Sequence, residues 1–475
     1  MKYVVFFILF FAFVLESNAT HLMGGEITAK QMHDSTYQIT LTTYRDTLGI
    51  PMDSVANFIV KDTAGNTVMT FSIPYDTAIS GNILNLYPYG VEVYIFKDTI
   101  HLPGPGTYHI SFTDCCRNGA IQNLSAPLNE NMYLTTTVTH FSNSSNSTPF
   151  FLVQPVIFLP VNTTWSYNPL PFDVNGDSLV WVLDTPLTAF NTYCAGYSTP
   201  PSATSGPFSL NSANGSINWT ASQIGNFDAT VLVEEYRNNV KIGEIRRDMQ
   251  FIVVQPTSSM AFMSNMSNLP KDNLGNFHVE INANERYMFS FFAEDKDSSD
   301  VVSIQAFGEP FLFDQLTRAS FFVSKTGKTY GNEVEGTLVW KPKSSLVRQK
   351  PYIIVYRVSD GIYVNDYTVM YTVKGDGQGQ PTGISEHDSN ASFTLFPNPS
   401  NGNSLIVEVN TQVKGNIQME IYNLSGRLIS TTRHRPASIG DQLRIGDLNL
   451  QSGSYLLIVK NGGQLTEQLP FVVIQ

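Results

Sequence analysis

The chain has 475 residues, a formal net charge of −12, and 14% charged against 42% hydrophobic residues. That length suits three or four domains of roughly 100–150 residues each, and so few charges leave little to cover long exposed helices. The acidic balance, with no Lys/Arg cluster to override it, excludes nucleic acid and anionic membranes as partners, because phosphate surfaces are bound through basic patches.

Lys2, the apolar run over residues 3–15 and the small-residue site Ser17-Asn18-Ala19 predict a secretory signal peptide over residues 1–19, with Thr20 the mature N-terminus. The run is shorter than the ~20 residues of a spanning helix. No other stretch is long and apolar enough to cross a membrane, so no integral membrane segment is expected after signal removal.

A first domain is expected over residues 20–145. Tyr37, Ile39 and Leu41 alternate with Gln38, Thr40 and Thr42, and Tyr108, Ile110 and Phe112 repeat the pattern after a Pro-Gly turn. This is the period-2 signature of a half-buried strand. The Ser/Asn tract over residues 142–148 reads as a flexible joint, followed by a second domain over residues 149–255 and a third over 256–374. Asp360-Gly361 between two β-rich runs predicts a tight hairpin in the third. Residues 375–391 have the composition of a Gly-rich linker, and residues 392–475 restart the β pattern. The expected fold is all-β: tandem Ig-like or cadherin-like sandwiches with a small C-terminal β-sandwich.

Three motifs stand in order in the last module: Phe393-Thr-Leu-Phe-Pro-Asn-Pro-Ser-Asn-Gly402, Ile421-Tyr-Asn-Leu-Ser-Gly-Arg-Leu428 and Leu450-Gln-Ser-Gly-Ser-Tyr-Leu456. They resemble the C-terminal sorting domain of type IX secretion, the Por secretion system of Bacteroidetes. In physical terms Pro397 and Pro399, flanking Asn398, block ladder bonds at an edge. Gly426 suits a turn with positive φ, and Gly453 with Tyr455 suits a turn packed by an aromatic lid. The resemblance implies the type IX outer-membrane machinery as a partner and the cell surface or medium as the destination. The chain departs from the pattern by ending in Gln475 instead of a basic residue. Further motifs upstream, among them Met23-Gly-Gly-Glu26, Cys115-Cys-Arg-Asn118, Asp173-Val-Asn-Gly-Asp177, Glu235-Tyr-Arg-Asn238 and Arg247-Asp-Met-Gln-Phe251, resemble uncharacterised gliding-motility-associated, PKD-like surface proteins. That likeness implies a location and an architecture, and no ligand.

Asp173, Asn175 and Asp177 place oxygen side chains at alternate positions around a glycine, as a hard-cation loop does. Asp295 and Asp297, with Asp300 beyond, hold the corresponding place in the third domain. Both resemble the acidic turns of cadherin-like modules, which makes calcium the candidate cofactor. The competing reading is a water-solvated Asx turn. Of the three cysteines, either Cys115 or Cys116 is a candidate to bridge Cys194, with three buried thiols the alternative. Adjacent cysteines are not expected to bridge each other, since neighbouring Cα atoms lie ~3.8 Å apart and disulfides prefer ~4.4–6.8 Å. No catalytic motif is present. The sequence therefore reads as an exported, non-enzymatic adhesion or binding protein with an unknown surface or glycan ligand. The alternatives are a glycan-binding protein using an exposed Trp219 or Trp340, and an extracellular hydrolase.

Overall fold

The computed structural model describes residues 22–83, 89–155, 158–315, 317–325, 333–375, 393–396, 400, 402–409, 412–423, 427–438, 440–446, 448–451, 453–461 and 464–473. The signal segment, residues 376–391 of the linker and residue 392 lie outside them. Apart from four short 3₁₀ turns, every regular element among the described residues is a β-strand. No helix among them is long and apolar enough to cross a membrane.

One strand organises the first half of the molecule. Val240–Val254 pairs along one edge with Gly225–Arg237. Its other edge is shared by three segments in turn: Gly243–Ile245 faces Met132–His140, Asp248 and Met249 face Gly25 and Gly24, and Ile252–Val254 runs parallel to Phe158–Pro160. One continuous twelve-stranded sheet thereby runs through the first and second domains. Gly24 and Gly25 permit the contact. Gly24 has φ +139°, and a Cβ there would lie 2.1 Å from the Asp248 carbonyl oxygen. A Cβ on Gly25 would lie 2.5 Å from the Thr42 carbonyl oxygen.

The Ser/Asn tract is correspondingly no flexible joint. Asn146, Ser147 and Thr148 are buried. The Thr148 hydroxyl accepts from the Ala29 amide at 2.9 Å, the Ser147 hydroxyl from the Gln31 amide at 3.0 Å, and the Asn146 side chain donates to the Thr139 carbonyl at 3.1 Å. Their short side chains satisfy strand-edge backbone groups that would otherwise be buried without partners.

Buried ion pairs close the same joint. Arg117, wholly buried, reaches Asp228 at 2.5 Å and Asp248 at 2.7 Å. Arg247 reaches Glu26 at 2.6 Å, the Val153 carbonyl at 2.5 Å and the Tyr167 hydroxyl at 2.8 Å, and lies over the Phe151 ring. The second core then fills with Trp165, Trp219, Phe227 and Phe251.

The third domain packs two four-stranded sheets around its own core. Its Tyr352–Ser359 and Val364–Lys374 strands form the expected hairpin, with Gly361 at φ +90° in the turn. It is fastened to the second domain by bonds from Trp165 Nε1 to the Val364 carbonyl at 3.0 Å, the Ser166 amide to Asn365 Oδ1 at 2.9 Å and the Asn168 amide to Asp366 Oδ2 at 3.1 Å. The C-terminal module is a separate sandwich of three- and four-stranded sheets.

Removing one partner of a buried ion network leaves uncompensated charge, at a cost of about 3–5 kcal/mol. Arg117→Met is therefore expected to lower the first unfolding transition of the secreted chain in urea by that amount. A loss under about 1 kcal/mol would mean that the carboxylates are satisfied without it.

Candidate functional site

Among the described residues the fold assembles two clusters of carboxylates. In the second domain, oxygens of Asp173, Asp177 and Glu235 lie within 4.8 Å of one another. Asp173 Oδ1 accepts from the backbone amides of Asn175 and Asp177 at 2.9 and 2.8 Å, making the loop an Asx-type turn. Asp177 is held by both arms of Arg237, at 2.8 and 2.5 Å. Glu235 enters from the Gly225–Arg237 strand, opposite Gly243, and is completely buried. A Cβ on Gly243 would stand 2.4 Å from Glu235 Oε2, so the glycine supplies the space the carboxyl fills. Neither Glu235 oxygen nor Asp173 Oδ2 has a hydrogen-bond donor. Burial first, and then the neighbouring Asp173 and Asp177, push the Glu235 carboxyl up to about 9. The group therefore carries a proton at neutral pH, which it can share with Asp177. Asn175 does not join the cluster: its Oδ1 accepts from the Ser147 amide and its Nδ2 donates to the Ser145 hydroxyl. Glu234, the adjacent residue, faces outward to Lys241. Arg237 and Arg247 are engaged elsewhere, with Asp177 and Glu26.

In the third domain the corresponding group is Asp295, Asp300 and Asp360, again within 4.8 Å. Asp295 follows the strand Tyr287–Glu294, and Asp360 is in the hairpin turn after Tyr352–Ser359. Asp297 sits beside them and accepts from the Ser259 amide and hydroxyl, each at 2.6 Å, and from the Ser258 hydroxyl at 2.9 Å. Ser258 and Ser259 belong to the connection between the second and third domains. Asp360 Oδ1 accepts two backbone amides, from Ile362 and Tyr363. Asp295 Oδ2 and Asp360 Oδ2 are buried without a donor. Burial pushes the Asp360 carboxyl above its usual range, and the Asp295 charge adds to it.

The remaining sequence candidates are placed as follows. Cys115 and Cys116 bridge each other, and Cys194 is free and buried beside Ile121, Leu124 and Tyr197. The bridge to Cys194 expected from the sequence is therefore not the one formed. Burial pushes the Cys194 thiol up to about 12. Trp165, Trp219 and Trp340 are core residues, each at most 1% exposed, so none is a sugar platform.

In the last module Ile417–Asn423 pairs with Leu428–His434 as the central hairpin. Gly453 opens the strand Gly453–Asn461 instead of forming a turn, and Tyr455 stacks on Phe471 with ring centroids 5.5 Å apart. The Tyr455 hydroxyl donates to the Gln451 carbonyl at 2.9 Å, closing the lid. Pro397, Asn398, Pro399 and Gly426 lie outside the described residues. Residues 394–473 match the family described as the secretion system C-terminal sorting domain. This module is a type IX sorting domain. It directs export of the chain to the cell surface or the medium.

No curated protein matches the chain. Among solved structures, the N-terminal four Ig domains of Dscam1 isoform 6.9 are 12% identical, with 95% of this chain and 99% of that one covered and a TM-score of 0.17. The D1–D4 ectodomain fragment of ICAM-5 is 11% identical over 94% and 96% of the two chains, with a TM-score of 0.17. Alpha-2-macroglobulin of Escherichia coli is 8% identical over 94% of this chain and 44% of that one, with a TM-score of 0.16. Nothing about function follows from likenesses this distant.

The Glu235 proton has a stability consequence. Its ordinary value is 4.5 and its folded value about 9. Between them the folded chain holds a proton that the unfolded chain has lost, so this group's contribution falls as pH rises across that window. Glu235→Gln, measured without divalent cations, is expected to melt close to wild type at the acidic end and increasingly above it toward the alkaline end. A difference that does not change with pH would place the proton elsewhere.

Proposed function

We propose that the three domains ahead of the sorting module form a non-enzymatic extracellular binding protein with an adhesion role. The observation that carries this reading is their joining into one stiff body, by a shared sheet, buried ion pairs and hydrogen bonds across both junctions. An adhesion module must hold its binding surface at a fixed distance and orientation from its point of attachment, which a jointed chain does not do.

The acidic groups support a binding role over hydrolysis. A general acid needs a proton it can deliver into a cleft that admits substrate. The cleft nearest the second-domain cluster is lined by Asp173, Asp177 and Glu309. Asp177 is engaged by Arg237, Glu309 by Arg348, and one oxygen of Asp173 by two backbone amides. Glu235, which does hold a proton, is buried away from solvent.

Calcium fits the third-domain cluster better than the second-domain one. In the second domain Arg237 and a proton already offset the charge. The bonded partners of Asp295, Asp300 and Asp360 are hydroxyl and amide groups, which offset none. Two buried oxygens there also lack donors. Asp295, Asp297, Asp300 and Asp360 would hold the ion, which would offset their mutual repulsion and fasten the Ser258-Ser259 connection to the third domain.

Deleting the gene is expected to reduce attachment of the producing cells to surfaces, with the full-length chain restoring it. Unchanged attachment, or release of reducing sugar from polysaccharide by the purified chain, would overturn this reading. At an extracellular-type affinity of ~10⁻⁴ M, about 10 mM calcium stabilises the bound form by about 2.7 kcal/mol. The third-domain melting transition should rise accordingly, and the rise should vanish in Asp360→Asn. A transition indifferent to calcium would remove the ion from the account.

A further inference from the structure

The junction between the second and third domains contains a cleft of about 530 Å³ that neither acidic cluster touches. Its walls come from the sheet Thr164–Tyr167 and Ile217–Thr220 on one side and from the start of Val364–Lys374 on the other, with residues 274–277 at the rim. The size is within the range of small-molecule sites.

Three properties of this cleft point to one ligand chemistry. First, its walls are fixed in place before any ligand arrives. Asn168 Nδ2 donates to the Thr368 hydroxyl at 3.1 Å and Asn211 Nδ2 to Asn276 Oδ1 at 2.6 Å, in addition to the bonds from Trp165 and Ser166 described above. Preorganised walls reduce the ordering cost of binding.

Second, the lining is neutral. Asp366 is its one carboxylate, and both its oxygens are taken by Arg357 at 2.8 and 3.0 Å. An ionic ligand would find no free counter-charge among the lining residues. Third, amide and hydroxyl groups there are left over. Among the described residues the Asn218 side chain has no hydrogen-bond partner, and Asn214 uses its Oδ1 on Ser216 while its Nδ2 has none. Asn amides present a donor and an acceptor side by side, the arrangement that matches vicinal hydroxyls. Half-buried Tyr367 adds aromatic surface for C–H faces.

We infer that this cleft binds a neutral, polyhydroxylated ligand, a segment of uncharged glycan, with Asn218 as its principal hydrogen-bonding contact. The inference rests on the binding role proposed above and names the ligand class for it. The indoles of Trp165, Trp219 and Trp340 are buried in the cores, so recognition here depends on amides and hydroxyls set between two fixed domains.

The test uses the full secreted chain on an array of neutral and acidic oligosaccharides, followed by calorimetry on the best binders. Binding to neutral glycans is expected, with affinity unchanged between low and high salt because no charge is exchanged. Asn218→Ala should weaken it about tenfold, the loss of roughly one hydrogen-bonding contact, while its melting temperature stays at the wild-type value. Ser166→Ala, which removes a hydroxyl beside Asn218 on the neighbouring strand of the same wall, is read in parallel and should also weaken binding. Retention of full affinity in both variants, a preference for acidic glycans, or no binding to any neutral glycan would overturn the assignment. Attachment lost on gene deletion but kept by the Asn218→Ala chain would refute the cleft and leave the adhesion reading standing.

Discussion

The structure depends on the burial of two arginines between domains that the sequence keeps apart. Arg117 belongs to the first domain and its carboxylates to the second; Arg247 belongs to the second and Glu26 to the first. A guanidinium without a carboxylate in such a place is costly, so neither domain can bury its arginine until the other is present. The strand Val240–Val254 has the same dependence in backbone terms. Its second edge is completed by three segments distant in sequence, and each leaves unpaired N–H and C=O groups if removed. Folding of the first two domains is consequently a joint event.

This explains the motifs that stood out along the N-terminal half. Gly24-Gly25, Glu26, Arg117, Arg237 and Arg247-Asp248 looked like scattered signatures, and the fold gathers them at one seam. Their residue types follow from that seam: glycines where backbones meet too closely for a Cβ, and charges where a buried partner waits across it. Periodicity in strands is local and was readable, as at Tyr37–Ile39–Leu41 and at the Asp360-Gly361 hairpin. Pairing between strands far apart is not local. A polar Ser/Asn tract therefore looked like a joint, although its small side chains are used to cap buried strand edges.

The acidic loops show the same division. Alternating oxygen side chains around Gly176 and at Asp295-Lys-Asp297 marked both turns, but ligand geometry is set by what approaches from elsewhere. Asn175 is drawn off by Ser145 and Ser147, and Glu235 arrives from another strand into space left by Gly243. Asp360 comes from a turn whose Asp-Gly pair was already legible as a hairpin, without any sign that it would face Asp295. The cysteines diverged as well: Cys115 and Cys116 are joined to each other, and Cys194 packs among Ile121, Leu124 and Tyr197.

Two turns of similar sequence thus reach opposite electrostatic states. In the second domain Arg237 sits on Asp177 and a proton remains on Glu235, so the turn is complete with the chain's own groups and serves as a structural clasp beside the Asn146–Thr148 seam. In the third domain the acids meet serines from the interdomain connection, whose hydroxyls donate without offsetting charge. The connection is therefore where an outside ion has most effect, since any change in the repulsion among Asp295, Asp300 and Asp360 acts directly on Ser258 and Ser259. Stiffness in the first junction is built in by arginine. In the second it is held by the amides and hydroxyls around Asn168 and Asn365, with room left beside them for a ligand.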